Sequence, residues 1–276
     1  MYSNPCRKST PGLIIFMIDG GASMCTEYKG WELREEVVVR YINEIMNEMI
    51  YSCISGNQIK NKVFVSTIIY KSDYTQELFS GYIGDLVESI VNRREKAICD
   101  MAGGHEKQKL VFLEPDCILQ GGATRLDEAY EMVYEMIIGW KESLEDRGIN
   151  DCSPVPLVLN FTKGTISADI SNLMRIINSI MEINSKDGHP LLYNVLIPLW
   201  DERKDIICTN ETMTMGDEPI FWEISSFVPQ EHKSDWLNNE GLQKGIILNP
   251  ENSYVIWKSL VQPWIRPPYY NTSAFQ

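Results

Sequence analysis

Histidine is scarce in this sequence, three in 276 residues, so a His-based metal centre is poorly supplied. Seven cysteines are present without a single CxxC pair, and an odd, scattered set makes neither a disulfide framework nor a zinc site. Cys53 and Cys99 fall in apolar segments, where a free thiol packs as a small hydrophobe. Cationic surplus is missing too: the net charge is −13, whereas a nucleic-acid surface needs clustered Lys and Arg. No apolar run approaches the roughly 18 residues of a membrane span. Met1 to Pro11 lacks the apolar core of a signal peptide, so a cytoplasmic protein is expected. Neither Gly20-Gly21 nor Gly121-Gly122 extends to GxGxxG or is followed by GK[ST], and no GxSxG elbow occurs. Internal repeats and low-complexity tracts are absent.

What remains is an ordinary globular composition, 44% hydrophobic and 23% charged. The chain is organised around Leu13-Ile14-Ile15-Phe16-Met17-Ile18-Asp19-Gly20-Gly21-Ala22-Ser23-Met24. Six apolar residues followed by a turn signal read as a strand buried on both faces of a sheet. Asp19 then stands at the strand's carboxyl end, where ligands bind in open α/β sheets.

Helical spacing of Val38, Tyr41, Ile42, Ile45, Met49 and Cys53 predicts an amphipathic helix within 31–53. Lys62 to Tyr70, rich in β-branched and aromatic residues, reads as a second strand. Residues 71–109 are the least regular part, with a helix around Asp85 to Arg93 and a Gly103-Gly104 break. They read as an elaborated connection over the sheet's C-terminal edge. A short strand is predicted at Lys109 to Leu113 and a glycine-rich loop at Gln120 to Arg125. A helix at Leu126 to Leu144 and a strand at Val155 to Phe161 follow. Asp169 to Ile183 reads as a helix, Leu191 to Leu199 and Gly245 to Leu248 as strands, and Pro250 to Trp264 as a closing helix. This alternation implies a doubly wound, mostly parallel, Rossmann-like sheet with helices on both faces. One domain is expected over 1–264, with an extended or disordered tail at 265–276.

Three strand ends carry polar residues toward one place: Asp19 with Ser23, Thr124, and Thr162-Lys163. Their order resembles the metal-ion-dependent adhesion site of von Willebrand factor type A domains, in which Asp-x-Ser-x-Ser, a Gly-x-Thr loop and a later Thr-Asp-Gly or Ser-Asp-Gly loop hold Mg²⁺. By that resemblance Asp19, Ser23 and Thr124 match metal ligands. Gly21, which stands where the family has a Ser, and Lys163, which stands where it has the later Asp, do not. An ammonium about 4 Å from a unit charge interacts by about 4 kcal/mol at an effective dielectric near 20, and a divalent ion doubles the repulsion. Mg²⁺ affinity is therefore expected to be weakened, and no other cofactor is implied. Either Lys163 replaces the metal and pairs with Asp19, or it points into water.

Lys186 to Val195 and Phe221 to Pro229 are similar to segments of a bacterial subgroup of these proteins, so the resemblance runs from about Thr10 to Pro263. Members of the subgroup are often encoded beside a Ser/Thr phosphatase and a Ser/Thr kinase. The resemblance thus implies a non-enzymatic protein-binding adapter in bacterial signalling or defence. Trp200, Trp222 and Trp236 are either interface anchors or covering residues. The competing reading is a phosphoryl-transfer enzyme with Asp19 as nucleophile, Thr124 binding the phosphoryl group and Lys163 neutralising it. It lacks the second carboxylate that such sites need.

Overall fold

In the computed structural model, Gly12–Asp19 forms β1, buried along its entire length. The structure describes residues 2–28, 32–93, 110–114, 122–149, 152–164, 166–197, 206–207, 218–233 and 244–266. The remaining strands are β2 (Ile54–Ser55), β3 (Gln58–Ile59), β4 (Val63–Tyr70), β5 (Thr75–Tyr82), β6 (Leu157–Thr162), β7 (Leu191–Leu196), β8 (Ile206–Ile207) and β9 (Ile246–Leu248). The helices are α1 (Arg34–Cys53), α2 (Ile83–Arg93), α3 (Leu126–Asp146), α4 (Ile170–Glu182), α5 (Glu218–Ile224), α6 (Ser253–Ile256) and α7 (Gln262–Ile265). A π-helical stretch, Trp257–Val261, joins α6 to α7.

Among the described residues, seven strands make one sheet in the order β5-β4-β1-β6-β7-β9-β8. β4, β1, β6, β7 and β9 run parallel, and β5 and β8 are antiparallel edges. The sheet is therefore mostly parallel and doubly wound. One core forms where α1 and the closing helices meet one face, with Ile14, Phe16 and Ile18 against Tyr41, Ile45 and Trp264. The other forms where α3, α4 and α5 meet the opposite face, with Leu13, Ile15 and Met17 against Tyr130, Ile137 and Ile177. Burial on both faces explains why the strands read as continuous apolar runs.

Expected boundaries hold to within a few residues. Asp169 is the N-cap of α4, accepting from the Ser171 and Asn172 amides at 2.9 and 3.3 Å, and Ile183 is its C-cap. Two expectations fail. Residues 75–82 are not a connection over the C-terminal edge but the edge strand β5, paired with β4 from Tyr70↔Thr75 to Phe64↔Tyr82. Nor do 110–113 form a strand: their backbone groups are taken by side chains of α1. The Asn47 Nδ2 donates to the Leu110 carbonyl (2.8 Å), and the Leu110 amide donates to Asn47 Oδ1 (2.9 Å). Asn43 Oδ1 accepts from the Phe112 and Leu113 amides at 2.7 and 3.0 Å. The antiparallel strand β8 had no counterpart in the sequence reading. Cys99, Trp200, Trp236, Gly121 and the tail from residue 267 lie outside the described residues.

Candidate functional site

Strand order reverses at β1, which has β4 on one side and β6 on the other, and a doubly wound sheet opens its binding crevice at such a switch point. Asp19 ends β1 there, 1% exposed. Its Oδ1 accepts from the Gly21 amide at 2.9 Å, and its Oδ2 accepts from the Thr162 hydroxyl at 2.7 Å. The Gly164 amide in turn donates to Thr162 Oγ1 at 3.1 Å. Burial pushes the Asp19 carboxyl above the ordinary carboxylate range. The Thr162 hydroxyl, the Gly21 and Lys163 amides and the Lys163 charge all pull the other way. Tyr70, at the end of β4, lies beside this pair, and its phenol is pushed far up by burial and then by the Asp19 charge.

The loop after β1 is fastened to two others. The Ala22 amide donates to the Gly122 carbonyl at 3.2 Å. Gly122 has φ +140°, and a Cβ there would lie 2.5 Å from Ser72 Oγ, so a glycine is required. Thr124, 6% exposed, sets its methyl over Gly21: a Cβ on Gly21 would stand 2.8 Å from Thr124 Cγ2 and 3.0 Å from Asp19 Oδ1. Arg34, fully buried at the start of α1, ties the loop to β7 by donating to the carbonyls of Ile197 (3.0 Å), Thr26 (2.9 Å) and Glu27 (2.8 Å).

The fold thus brings Asp19, Gly21 and Thr124 together. Ser23 sits half-buried in the same turn, where its carbonyl accepts from the Thr26 hydroxyl at 2.7 Å. Lys163 contributes its amide and its field to Asp19, but no ion pair within 4.0 Å joins the two. The Thr162 hydroxyl, not the Lys163 ammonium, is the side-chain partner of the carboxylate. Thr162 is at the edge where the sequence places it with Lys163, whereas Tyr70, Lys71 and Arg34 are additions that the structure makes to this edge. A hydroxyl at the end of a buried strand was the available signal for Thr162, whereas Arg34 carried none.

A divalent ion fits this donor set poorly. Both Asp19 oxygens already accept hydrogen bonds from the protein, Gly21 offers no oxygen, and the nearest added charge is cationic. Among the described residues, no group of three or more His, Cys, Asp and Glu is placed to hold a metal. None of the described helices is long and apolar enough to cross a membrane.

No protein-family model matches the sequence, and no curated protein matches it. Among solved structures, the chain is similar to the manganese-loaded TRAP protein of Plasmodium vivax, with 15% identity over 94% of this chain and 74% of that one, at a TM-score of 0.47. It is also similar to the N-terminal domain of TFIIH p34, with 12% identity over 69% of this chain and 83% of that one, at a TM-score of 0.43.

Proposed function

We propose that this chain is a non-enzymatic, von Willebrand factor A-type protein-binding module with a degenerate metal-ion-dependent adhesion site. It acts as an adapter in a bacterial signalling or defence system, with a Ser/Thr phosphatase or kinase as the candidate partner. The observation that carries the reading is the internal use of Asp19. Its two oxygens are held by the Gly21 amide and the Thr162 hydroxyl, while Gly21 and Lys163 occupy the two remaining ligand positions of the motif. The partner class is supported by the resemblance of Lys186 to Val195 and Phe221 to Pro229 to the bacterial subgroup. Burial of Asp19 weighs against the phosphoryl-transfer alternative, because a nucleophile must reach its substrate.

Calorimetric titration with MgCl₂ and with MnCl₂ tests the reading. No heat of binding is expected for the wild type, and Lys163→Asp, which removes the repulsion and adds an oxygen ligand, is expected to gain measurable Mn²⁺ affinity. Restoring Gly21→Ser as well crowds the Thr124 methyl, so the single variant is the cleaner one. Micromolar binding by the wild type overturns the degenerate site.

A further inference from the structure

The amino edge of the sheet, opposite Asp19, carries a pocket between α3 and the segments that lead into β6 and β7. We propose that this pocket is an interaction site that takes one neutral aliphatic side chain of a protein partner. The peptide carbonyl beside that side chain serves as its hydrogen-bond acceptor. The proposal rests on the reading above that the chain is a protein-binding module.

The walls follow from the fold. Leu157 and Leu191 are level where β6 and β7 begin, so the residues before them meet at one end of the sheet. Val155 and Pro156 line the pocket from one strand entry and Pro190 from the other. The C-terminal half of α3 closes over them with Ile137 and Leu144. Both prolines have a fixed φ, so the walls stand before anything enters and little ordering is left for binding. The pocket encloses about 40 Å³. Pockets for cofactors and metabolites are roughly tenfold larger, whereas a single water needs about 10–15 Å³. The space suits the end of one aliphatic side chain.

The lining names the chemistry of the occupant. Water finds few polar partners against these walls, so an aliphatic group gains by displacing it. Two polar residues interrupt the apolar lining, Trp140 and Ser153, 8% and 2% exposed. The Trp140 indole N–H and the Ser153 hydroxyl are buried, and among the described residues neither has a hydrogen-bond partner. Leaving such a group unpaired is costly. The indole only donates, and the serine hydroxyl rotates to suit its partner, so an acceptor satisfies either of them. A peptide carbonyl beside an aliphatic side chain brings acceptor and apolar group together. Lys141, also of the lining, lies 3.9 Å from Glu145, and this pair adds no net charge to the entrance. A neutral residue is therefore the one that fits.

The test titrates the whole chain with two neutral probes, N-acetyl-leucine methylamide and N-acetyl-alanine methylamide, and follows amide and indole N–H resonances by NMR. The leucine probe is expected to shift the Ile137, Leu144 and Val155 amides and the Trp140 indole saturably. Its Kd should be about 1–10 mM, the range for a ligand of that size. The alanine probe, shorter by three carbons, should bind at least about tenfold more weakly. Ser153→Ala removes a hydroxyl that bonds nothing in the fold, so the variant folds, and it should weaken the leucine probe about fivefold. Absence of saturable shifts at about 50 mM, well above the expected range, overturns the proposal. So does equal binding of the two probes, or unchanged affinity in Ser153→Ala. The MnCl₂ titration above reads the opposite edge and keeps the two failures apart. Neither probe nor Mn²⁺ binding removes the pocket alone, whereas binding of both removes the degenerate site and leaves the pocket.

Discussion

Thr162 does two jobs with one hydroxyl, donating to Asp19 Oδ2 and accepting from the Gly164 amide. Thr162→Val keeps the shape and removes both bonds, leaving a buried carboxylate short of a donor, at a cost of about 2 kcal/mol at neutral pH. The cost depends on pH. Burial already holds the folded Asp19 pKa above its unfolded value, and loss of the Thr162 bond raises it further. A raised acid pKa contributes stability in full below the unfolded pKa, about 4, and loses it as pH rises through the folded pKa. The deficit of Thr162→Val relative to wild type should therefore shrink from pH 7 to pH 4 in urea titrations. A constant deficit would show that Thr162 acts only through packing. The places of Asp19 and Thr124 were legible, the one as a carboxylate closing an apolar run and the other as a hydroxyl in a glycine-rich loop before a helix. Ser23 was legible as a motif letter, but its side chain is not what the fold uses: the turn bonds through its carbonyl.

Helices and parallel strands were legible because each buries one face or both, and burial writes a period into the sequence. β5 was not, since Thr-Gln-Glu-Leu-Phe-Ser-Gly-Tyr lies partly exposed at the sheet's edge and a bulge at Thr67/Ile68 breaks its register with β4. The segment 110–113 misled in the opposite direction. It is apolar and extended like a strand, yet its backbone partners are the amides of Asn43 and Asn47 on α1, and nothing in its own residues shows that. Asn43→Ala removes an acceptor for two amides and the donor to the Leu113 carbonyl. About 2 kcal/mol of destabilisation is expected, together with faster hydrogen exchange at the Phe112 and Leu113 amides. Exchange as slow as in the wild type would mean that packing of Leu110 and Leu113 alone holds the segment.

Across the whole molecule, a buried polar row runs from the site to α5. The Tyr70 hydroxyl donates to Asn160 Oδ1 (2.9 Å), Asn160 Nδ2 to Asn194 Oδ1 (2.8 Å), Asn194 Nδ2 to Ser225 Oγ (2.7 Å), and Ser225 Oγ to the Phe221 carbonyl (2.7 Å). All donors point the same way, so each bond polarises the next and fixes the lateral packing of β4, β6, β7 and α5. Single Asn residues inside apolar strands were visible in the sequence, but their alignment into a row depends on strand order, which no local pattern encodes.

Far from the edge, the N-terminal segment closes the molecule through Asp187 and His232. The Ser3 and Asn4 amides donate to Asp187 Oδ1 at 2.8 and 3.1 Å, and the Tyr2 ring meets His232 edge-on at 6.2 Å. His232 is 3% exposed, its Nδ1 has no hydrogen-bond partner among the described residues, and burial lowers its pKa to about 4. A base with a depressed folded pKa contributes stability that is present above its unfolded value, about 6.5, and is lost as pH falls toward 4. Over that window roughly 3 kcal/mol is at stake at 1.36 kcal/mol per unit. The buried Asp187, whose pKa is raised by burial, acts with the opposite sign, so the histidine is isolated by comparing wild type with His232→Gln. Urea titrations should show the wild type losing stability between pH 6.5 and pH 4.5 relative to the variant. Parallel curves across that range would show that His232 takes up its proton at the same pH in the folded and unfolded chain.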